Sequence, residues 1–113
     1  METANIEKYM PTVYQAEILV RNNIEMYRQK KVKAFKIIHG YGSTGKGGAL
    51  RTGIRRWLDQ VKGAKIIADY IPGENWSAFD ETTRKVLDLD DSFRKDSDVG
   101  QMNSGITVIV ISW

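Results

Sequence analysis

The first strong pattern along the chain is an amphipathic stretch from residue 12 to about residue 28, where apolar positions recur at steps of three and four. This spacing predicts a helix with one buried face. Pro11 precedes the stretch, and Thr12 is placed to cap the helix, with Gln15 completing a weaker form of the capping box. The apolar positions are Val13, Ala16, Ile18, Leu19, Ile24 and Tyr27.

A second helix is predicted to follow the glycine-rich stretch near the middle of the chain and to end at Gly63. Three basic residues, Arg51, Arg55 and Arg56, are expected on or near the side opposite its apolar face. One member of the apolar face, Trp57, is interpreted as a core residue. The whole predicted buried face consists of Ala49, Leu50, Ile54, Trp57, Leu58 and Val61.

Three short segments rich in β-branched and aromatic residues predict strands at residues 33–38, 64–71 and 106–111. The last has six β-forming residues in succession, which is typical of a central strand buried on both faces. Since strands and helices alternate, we expect βαβ units in a mainly parallel or mixed α/β sheet. Residues 74–103 form a long polar insertion with one short helix, and its length indicates a role of its own or partial mobility.

The composition limits the classes of protein that need to be considered. The chain has 113 residues, so residues 1–113 are treated as one domain. It has no cysteine and one histidine, which excludes a disulfide framework and the common cysteine- and histidine-based metal sites; no metal and no cofactor are expected. No stretch approaches the roughly 20 apolar residues of a membrane span, and the N-terminus does not resemble a secretory signal. We therefore expect a cytoplasmic monomer without a membrane partner.

Positive charge is concentrated in one part of the chain, although the formal net charge is only +3. Asp59 is the only acid among nine basic residues between positions 30 and 62, which favours an anionic partner, and a solvated basic surface explains the charge equally well. The later acids Asp88, Asp90 and Asp91 lack the glycine and terminal glutamate of a calcium loop and are interpreted as a solvated face. The nine basic residues are Lys30, Lys31, Lys33, Lys36, Lys46, Arg51, Arg55, Arg56 and Lys62.

The turn from His39 to Gly48 contains five glycines in ten residues and connects a strand to a helix. Such a turn presents free backbone N–H groups and the positive end of a helix dipole, an arrangement that suits phosphate. A turn with a purely structural role would need only one or two glycines. A degenerate nucleotide-binding P-loop is the other phosphate interpretation, but Gly47 stands where that motif requires Ser or Thr. Asp69 is only a weak candidate for the magnesium-binding aspartate that such a site also needs.

The glycine turn and the last strand together resemble the Smr (small MutS-related) domain family, with this chain as a stand-alone member. The resemblance implies a compact two-layer βαβαββ sandwich with a mixed four-stranded sheet, similar to the C-terminal domain of a bacterial translation initiation factor. It also implies binding of DNA or RNA, and several family members are endonucleases that nick DNA or cleave RNA. The matching residues are His39, Gly40, Gly42, Gly48, Leu50, Arg51, Gly105, Ile106, Thr107 and Val108.

The chain departs from the family pattern at the first motif, Leu-Asp-Leu-His-Gly. Glu7 stands near the position of the aspartate, and Tyr9 replaces the histidine. Since those two motif residues are linked to cleavage in some members, binding carries over to this chain better than cleavage does. A longer glycine turn and the insertion at about residues 74–103 are further departures.

The resemblance and the charge pattern predict one site around the glycine turn. In an endonuclease, His39 would act as general acid or base because the usual pKa of histidine is near neutrality, and Glu7 would supply the remaining base. The other interpretation of His39 is a side chain that closes the strand end by hydrogen bonding to the turn. The predicted nucleic-acid-binding residues are His39, Gly40, Tyr41, Gly42, Lys46, Gly48, Arg51, Arg55 and Arg56.

Two aromatic residues and the insertion have alternative interpretations. Tyr41 in the turn is a candidate for stacking on a base, whereas Trp76 is expected to pack the insertion against the domain rather than to stack. The insertion itself is also compatible with a non-catalytic module that contacts the ribosome or a repair protein.

Overall fold

The computed structural model describes residues 1–40 and 47–113. The strands are β1 (Thr3–Asn5), β2 (Ala34–Ile38), β3 (Asp69–Pro72) and β4 (Ile106–Val110). The α-helices are α1 (Val13–Gln29), α2 (Gly47–Gly63) and α3 (Glu81–Leu87), and short 3-10 helices occupy Glu7–Tyr9, Gly73–Asn75 and Asp91–Lys95. The order of elements agrees with the predicted βαβαββ plan, in which α3 belongs to the insertion.

The four strands form one mixed sheet in the order β1-β2-β4-β3. Strand β1 is parallel to β2, whereas β4 is antiparallel to both of its neighbours. All five residues of β4 are buried, so its prediction as a central strand is confirmed. The predicted α/β sandwich with a mixed four-stranded sheet is confirmed as well.

Helices α1 and α2 cover the first face of the sheet, as their apolar faces predict. The capping box at α1 is present, because the Gln15 N–H donates to Thr12 Oγ1 (3.1 Å) and the Thr12 N–H donates to Gln15 Oε1 (2.9 Å). Trp57 is buried in this layer, as predicted. Ala49 is exposed, which corrects the prediction, because helical geometry turns it away from the side occupied by Leu50.

Strand β3 is shorter than predicted, because the chain first has to turn back after α2. Helix α2 ends at Gly63, as predicted, and Lys65 then adopts a left-handed conformation (φ 62°). The Ile66 N–H donates to the Val61 carbonyl (2.8 Å), which completes the turn at the helix end. Residues 64–68 therefore belong to a turn and an approach to the sheet, and the strand begins only at Asp69.

The insertion covers the second face of the sheet. Its apolar residues Trp76, Val86, Leu87 and Phe93 are buried and pack on β4 together with neighbouring strand residues. Trp76 is fully buried and its indole Nε1–H donates to Asp96 Oδ2 (3.1 Å). The packing interpretation of Trp76 is therefore confirmed, and stacking on a base is excluded by its burial.

A buried ion cluster fastens the end of the insertion to the sheet. The Lys36 ammonium, on β2, donates to Asp96 Oδ1 (2.8 Å) and to Asp98 Oδ2 (2.7 Å). Burial opposes the charged ammonium, yet the two carboxylates raise the net pKa of Lys36 above its usual value. Lys36 is thus neutralised inside the protein, which removes it from the basic surface that the sequence predicted.

The acids Asp88, Asp90 and Asp91 of the insertion are solvated, as predicted. Asp88 and Asp91 are exposed and both lie near Arg94, and Asp90 caps the 3-10 helix by accepting the Ser92 N–H (2.9 Å). Within residues 1–40 and 47–113, no three acidic or histidine side chains are grouped as metal ligands would be. None of the helices in these two ranges has the length and apolarity needed to cross a membrane.

Candidate nucleic-acid interface

The predicted site residues meet where β1 and β2 end and β4 begins. The backbone N–H groups of His39 and Gly40 both donate to the Gly105 carbonyl, each at 3.0 Å. We call this region the loop edge and define it by Glu7, Gly40, Gly48, Arg51 and Ser104. Ligands of open α/β sheets bind at the carboxyl ends of the parallel strands, which is the location of the loop edge.

Part of the predicted site lies outside the described residues. Tyr41, Gly42 and Lys46, with the other residues of the range 41–46, are not described by the structure. The two ends of the turn are described, at Gly40 and at the start of α2, and they carry the geometry that follows.

The φ angle of Gly40 favours glycine, and the position of its Cα shows where the Glu7 carboxylate lies. Its φ angle is +83°, a conformation that side chains disfavour, and a Cβ atom there would lie 2.2 Å from Glu7 Oε2. The carboxylate of Glu7 therefore rests against the Gly40 backbone. The structure thus brings Glu7, predicted from the first motif, to the same place as the glycine turn.

The imidazole of His39 is fully buried between the turn and β4. Its Nδ1 lies 2.8 Å from the Gly40 carbonyl oxygen, and its Nε2 lies 2.8 Å from Thr107 Oγ1. Because a carbonyl only accepts, Nδ1 carries the proton, and Nε2 of the neutral ring accepts from the Thr107 hydroxyl. His39 thus closes the strand end by hydrogen bonding, as the structural interpretation expected.

The pKa of His39 is lowered to about 4, mainly by burial and also by the charges of Arg55 and Arg51, despite the hydrogen bond to the Gly40 carbonyl. The expectation of a pKa near neutrality is therefore wrong for this site, because the ring is desolvated and has cations as neighbours. His39 is neutral at pH 7 and its ring is not accessible to a substrate.

Arg55 is turned toward the sheet instead of toward solvent. Its Nε donates to Thr107 Oγ1 (3.2 Å), so His39, Thr107 and Arg55 form a continuous hydrogen-bonded chain. Its two terminal nitrogens donate to the carboxylate of Glu74 at 3.1 and 2.8 Å. The position predicted for Arg55, away from the apolar face, is corrected to this half-buried one because β4 and Glu74 supply acceptors there.

Arg51 lies one turn before Arg55, at the mouth of the loop edge. It is half-buried, and its Nη1 donates to Ser104 Oγ at 3.3 Å. Arg56 is exposed, and within the described parts of the chain it forms no ion pair. Among the described residues, none has an atom within 4 Å of the position that a Cβ atom of Gly48 would take.

Glu74 was not predicted from the sequence as a site residue, and Thr107 was identified only as part of the family resemblance. Glu74 lies 19 residues from Arg55 and belongs to the polar insertion, where no pattern marks it. Thr107 is part of the Gly-Ile-Thr-Val strand that carried the family resemblance, so its contact with His39 had a signal in the sequence.

A model of the Smr domain family matches residues 9–77, more than half of the chain. The chain belongs to the Smr domain family. Among solved structures, the Smr domain of Thermus thermophilus MutS2 is similar over the full length of both chains, with a TM-score of 0.62 and 18% identity. At this identity the likeness shows the fold alone. No curated protein matches the chain.

The range matched by the family model includes only some of the residues that form the loop edge. The matched range includes His39, Gly40 and the arginines of α2, whereas Glu7 stands before it and β4 after it. In this Smr domain, the three-dimensional contacts nevertheless join Glu7 and Thr107 to the matched glycine turn.

Proposed function

We propose that this Smr domain binds nucleic acid, DNA or RNA, by holding its phosphate backbone at the loop edge. The observation that carries the proposal is the position of the half-buried Arg51 near the start of α2, directly after the glycine turn. The first turn of a helix has free N–H groups and a positive dipole end, and an arginine next to it adds a charge that pairs well with phosphate.

The residues of the predicted site divide into two roles in this proposal. Arg51 and the backbone around Gly48 contact phosphate, with the exposed Arg56 adding a contact farther along the helix. His39 and Gly40 shape the edge, because the histidine is buried and the glycine allows the close approach of Glu7. Tyr41, Gly42 and Lys46, outside the described residues, remain predicted contacts.

The proposal is tested by titrating fluorescein-labelled duplex DNA and single-stranded RNA with the protein, at several salt concentrations, and measuring fluorescence anisotropy. We expect affinity to decrease linearly with the logarithm of the salt concentration, because phosphate neutralisation releases counterions. Arg51→Ala should weaken binding and reduce the salt slope by about one.

Arg94→Ala is the matched control for the loss of charge. Arg94 is exposed in the 3-10 helix Asp91–Lys95. The adjacent Phe93 lines a cavity together with Lys33, which directly precedes β2. This cavity is at the end of the sheet where β2 begins, opposite to the loop edge, where β2 ends. If neither nucleic acid binds at low salt, or if the two variants weaken binding equally, the proposed interface is wrong.

One observation favours a second candidate function, that of an endonuclease. The Glu7 carboxylate lies against Gly40 at the loop edge, and in this candidate function it would act as the base. Pure protein incubated with supercoiled plasmid and with structured RNA should then yield products that decrease strongly in Glu7→Gln. The control Glu25→Gln alters an exposed carboxylate near the other end of α1, and equal product from both variants would count against cleavage.

A further inference from the structure

Arg51 and Arg55 both lie near the carboxylate of Glu74, and this arrangement suggests how the loop edge is controlled. We infer that Glu74 is an internal competitor of the nucleic-acid phosphate, occupying the guanidinium of Arg55 and thereby limiting the affinity of the loop edge. The inference rests on the proposed function, because it concerns the strength of that same binding.

The geometry of the Arg55–Glu74 pair is the one that an arginine forms with a phosphate. Two parallel N–H···O bonds join the guanidinium to the two carboxylate oxygens, at 3.1 and 2.8 Å. Carboxylate and phosphate oxygens suit the same planar fork of donors, so either anion can fill it. Glu74 thus stands in the place that a phosphate oxygen pair would take.

The two arginines converge on one residue. Arg51 Nη1 donates to Ser104 Oγ (3.3 Å), and Arg55 Nη2 donates to the Ser104 carbonyl (3.3 Å). A phosphate that contacts Arg51 at the mouth of the edge is therefore close to Arg55 as well. The carboxylate of Glu74 pairs with Arg55 and offsets one of these two positive charges.

Solvent reaches the carboxylate more easily than the guanidinium. The Glu74 side chain is 40% exposed, whereas that of Arg55 is 17% exposed. Burial tends to raise the pKa of Glu74, but the hydrogen bonds and charge of Arg55, together with the charge of Arg51, lower it overall. Glu74 is ionised at neutral pH and repels a second anion on the open side of Arg55.

Arg55 does not need Glu74 to hold its position. Three other acceptors bind it, namely Thr107 Oγ1 (3.2 Å), the Ser104 carbonyl (3.3 Å) and the Ile106 carbonyl (3.1 Å). Loss of the Glu74 charge therefore leaves the guanidinium in place and able to donate hydrogen bonds to a phosphate. This distinguishes a competitor from a carboxylate that merely orients the arginine.

The decisive variant is Glu74→Gln, which keeps the shape of the side chain and removes its charge. In the anisotropy titrations with labelled duplex DNA and single-stranded RNA, we expect affinity to rise about tenfold at low salt, because one nearby repulsive charge is gone. The salt slope on duplex DNA should become steeper by about 0.9, as Arg55 neutralises one more phosphate.

Asp91→Asn is the matched control, since the Asp91 side chain is fully exposed. The next residue, Ser92, lines the cavity at the end of the sheet opposite to the loop edge. This control makes the same change in net charge and should leave the affinity almost unchanged. A second variant, Glu74→Gln combined with Arg55→Gln, should lose the gain. Thermal unfolding of each variant checks that it is folded, and Glu74→Ser replaces Glu74→Gln if the latter is not.

The outcomes separate this inference from the proposed function. Absence of binding by the unmodified protein overturns the proposed function and the inference with it. If the unmodified protein binds but Glu74→Gln binds equally or more weakly, Glu74 is not a competitor, and the proposed function stands. A gain that Asp91→Asn reproduces also overturns the inference, because net charge alone then explains it.

Discussion

Protonation of His39 should destabilise the folded protein strongly, and the effect can be calculated from its environment. The pKa is about 4 in the folded state, against 6.5 for an ordinary histidine. Between these two values the unfolded chain binds a proton that the folded protein does not, so stability decreases as the pH falls. The difference corresponds to roughly 3 kcal/mol, which is fully present above pH 6.5 and lost as the pH approaches 4.

The measurement is urea unfolding over a series of pH values from about 7.5 to about 4.5. His39→Gln provides the reference, since it lacks the titrating ring and retains the other groups that lose stability in acid, such as Glu74 and Asp98. The free energy of unfolding should fall more steeply in the unmodified protein, and the two curves should differ in slope by the contribution of His39.

Proton NMR gives an independent readout, because the chain contains a single histidine and hence a single pair of imidazole signals. These signals should not shift between pH 7.5 and about 5 in the folded protein. A titration midpoint near 6.5, or parallel unfolding curves for the protein and His39→Gln, would show that the ring is hydrated and that the hydrogen-bonded chain to Arg55 is not formed as described.

Two further predictions concern the packing around the site and the insertion. Gly40→Ala should cost about 1–3 kcal/mol, because the left-handed φ of this position strains any residue with a Cβ atom, whereas Gly48→Ala, in helix α2, should cost nothing and gain up to about 1 kcal/mol. Equal urea midpoints for the two variants would contradict this. Lys36→Met should lower the free energy of unfolding by about 3–5 kcal/mol, since Asp96 and Asp98 lose their buried partner. A change below about 1 kcal/mol, as expected for exposed pairs, would refute the importance of the cluster.

Hydrophobic periodicity predicted the elements that are held by the main core. Helix α1 with its cap at Thr12, the buried position of Trp57 and the central strand β4 all follow from local spacing, because burial on one or both faces leaves a direct mark on the sequence. Strand β3 was predicted too long, since an apolar stretch alone does not reveal that Lys65 must first turn the chain.

The polar contacts could not be predicted in the same way. Arg55 and Lys36 belong to a basic run in the sequence, yet each is neutralised by acids that come 19 or more residues later and lie close only in the folded chain. His39 also depends on a residue that is distant in the sequence, because its Nε2 lies against Thr107, and burial of the ring lowers its pKa. The sequence therefore predicted the fold and the family, but not which of the charged groups of the predicted site are paired inside the protein.

The double anchorage of the insertion determines how its own role can be studied. It is tied to the domain by Glu74 at its start and by Asp96 and Asp98 near its end, with an apolar layer between them. A proteolytic cut in the exposed turn at Phe79, whose side chain is 96% exposed, would leave both fragments attached. Removing the whole segment would instead uncover the apolar side of β4 and promote aggregation. A partner that contacts the insertion is therefore best sought with Phe79→Ser, which alters its outer surface and preserves the core.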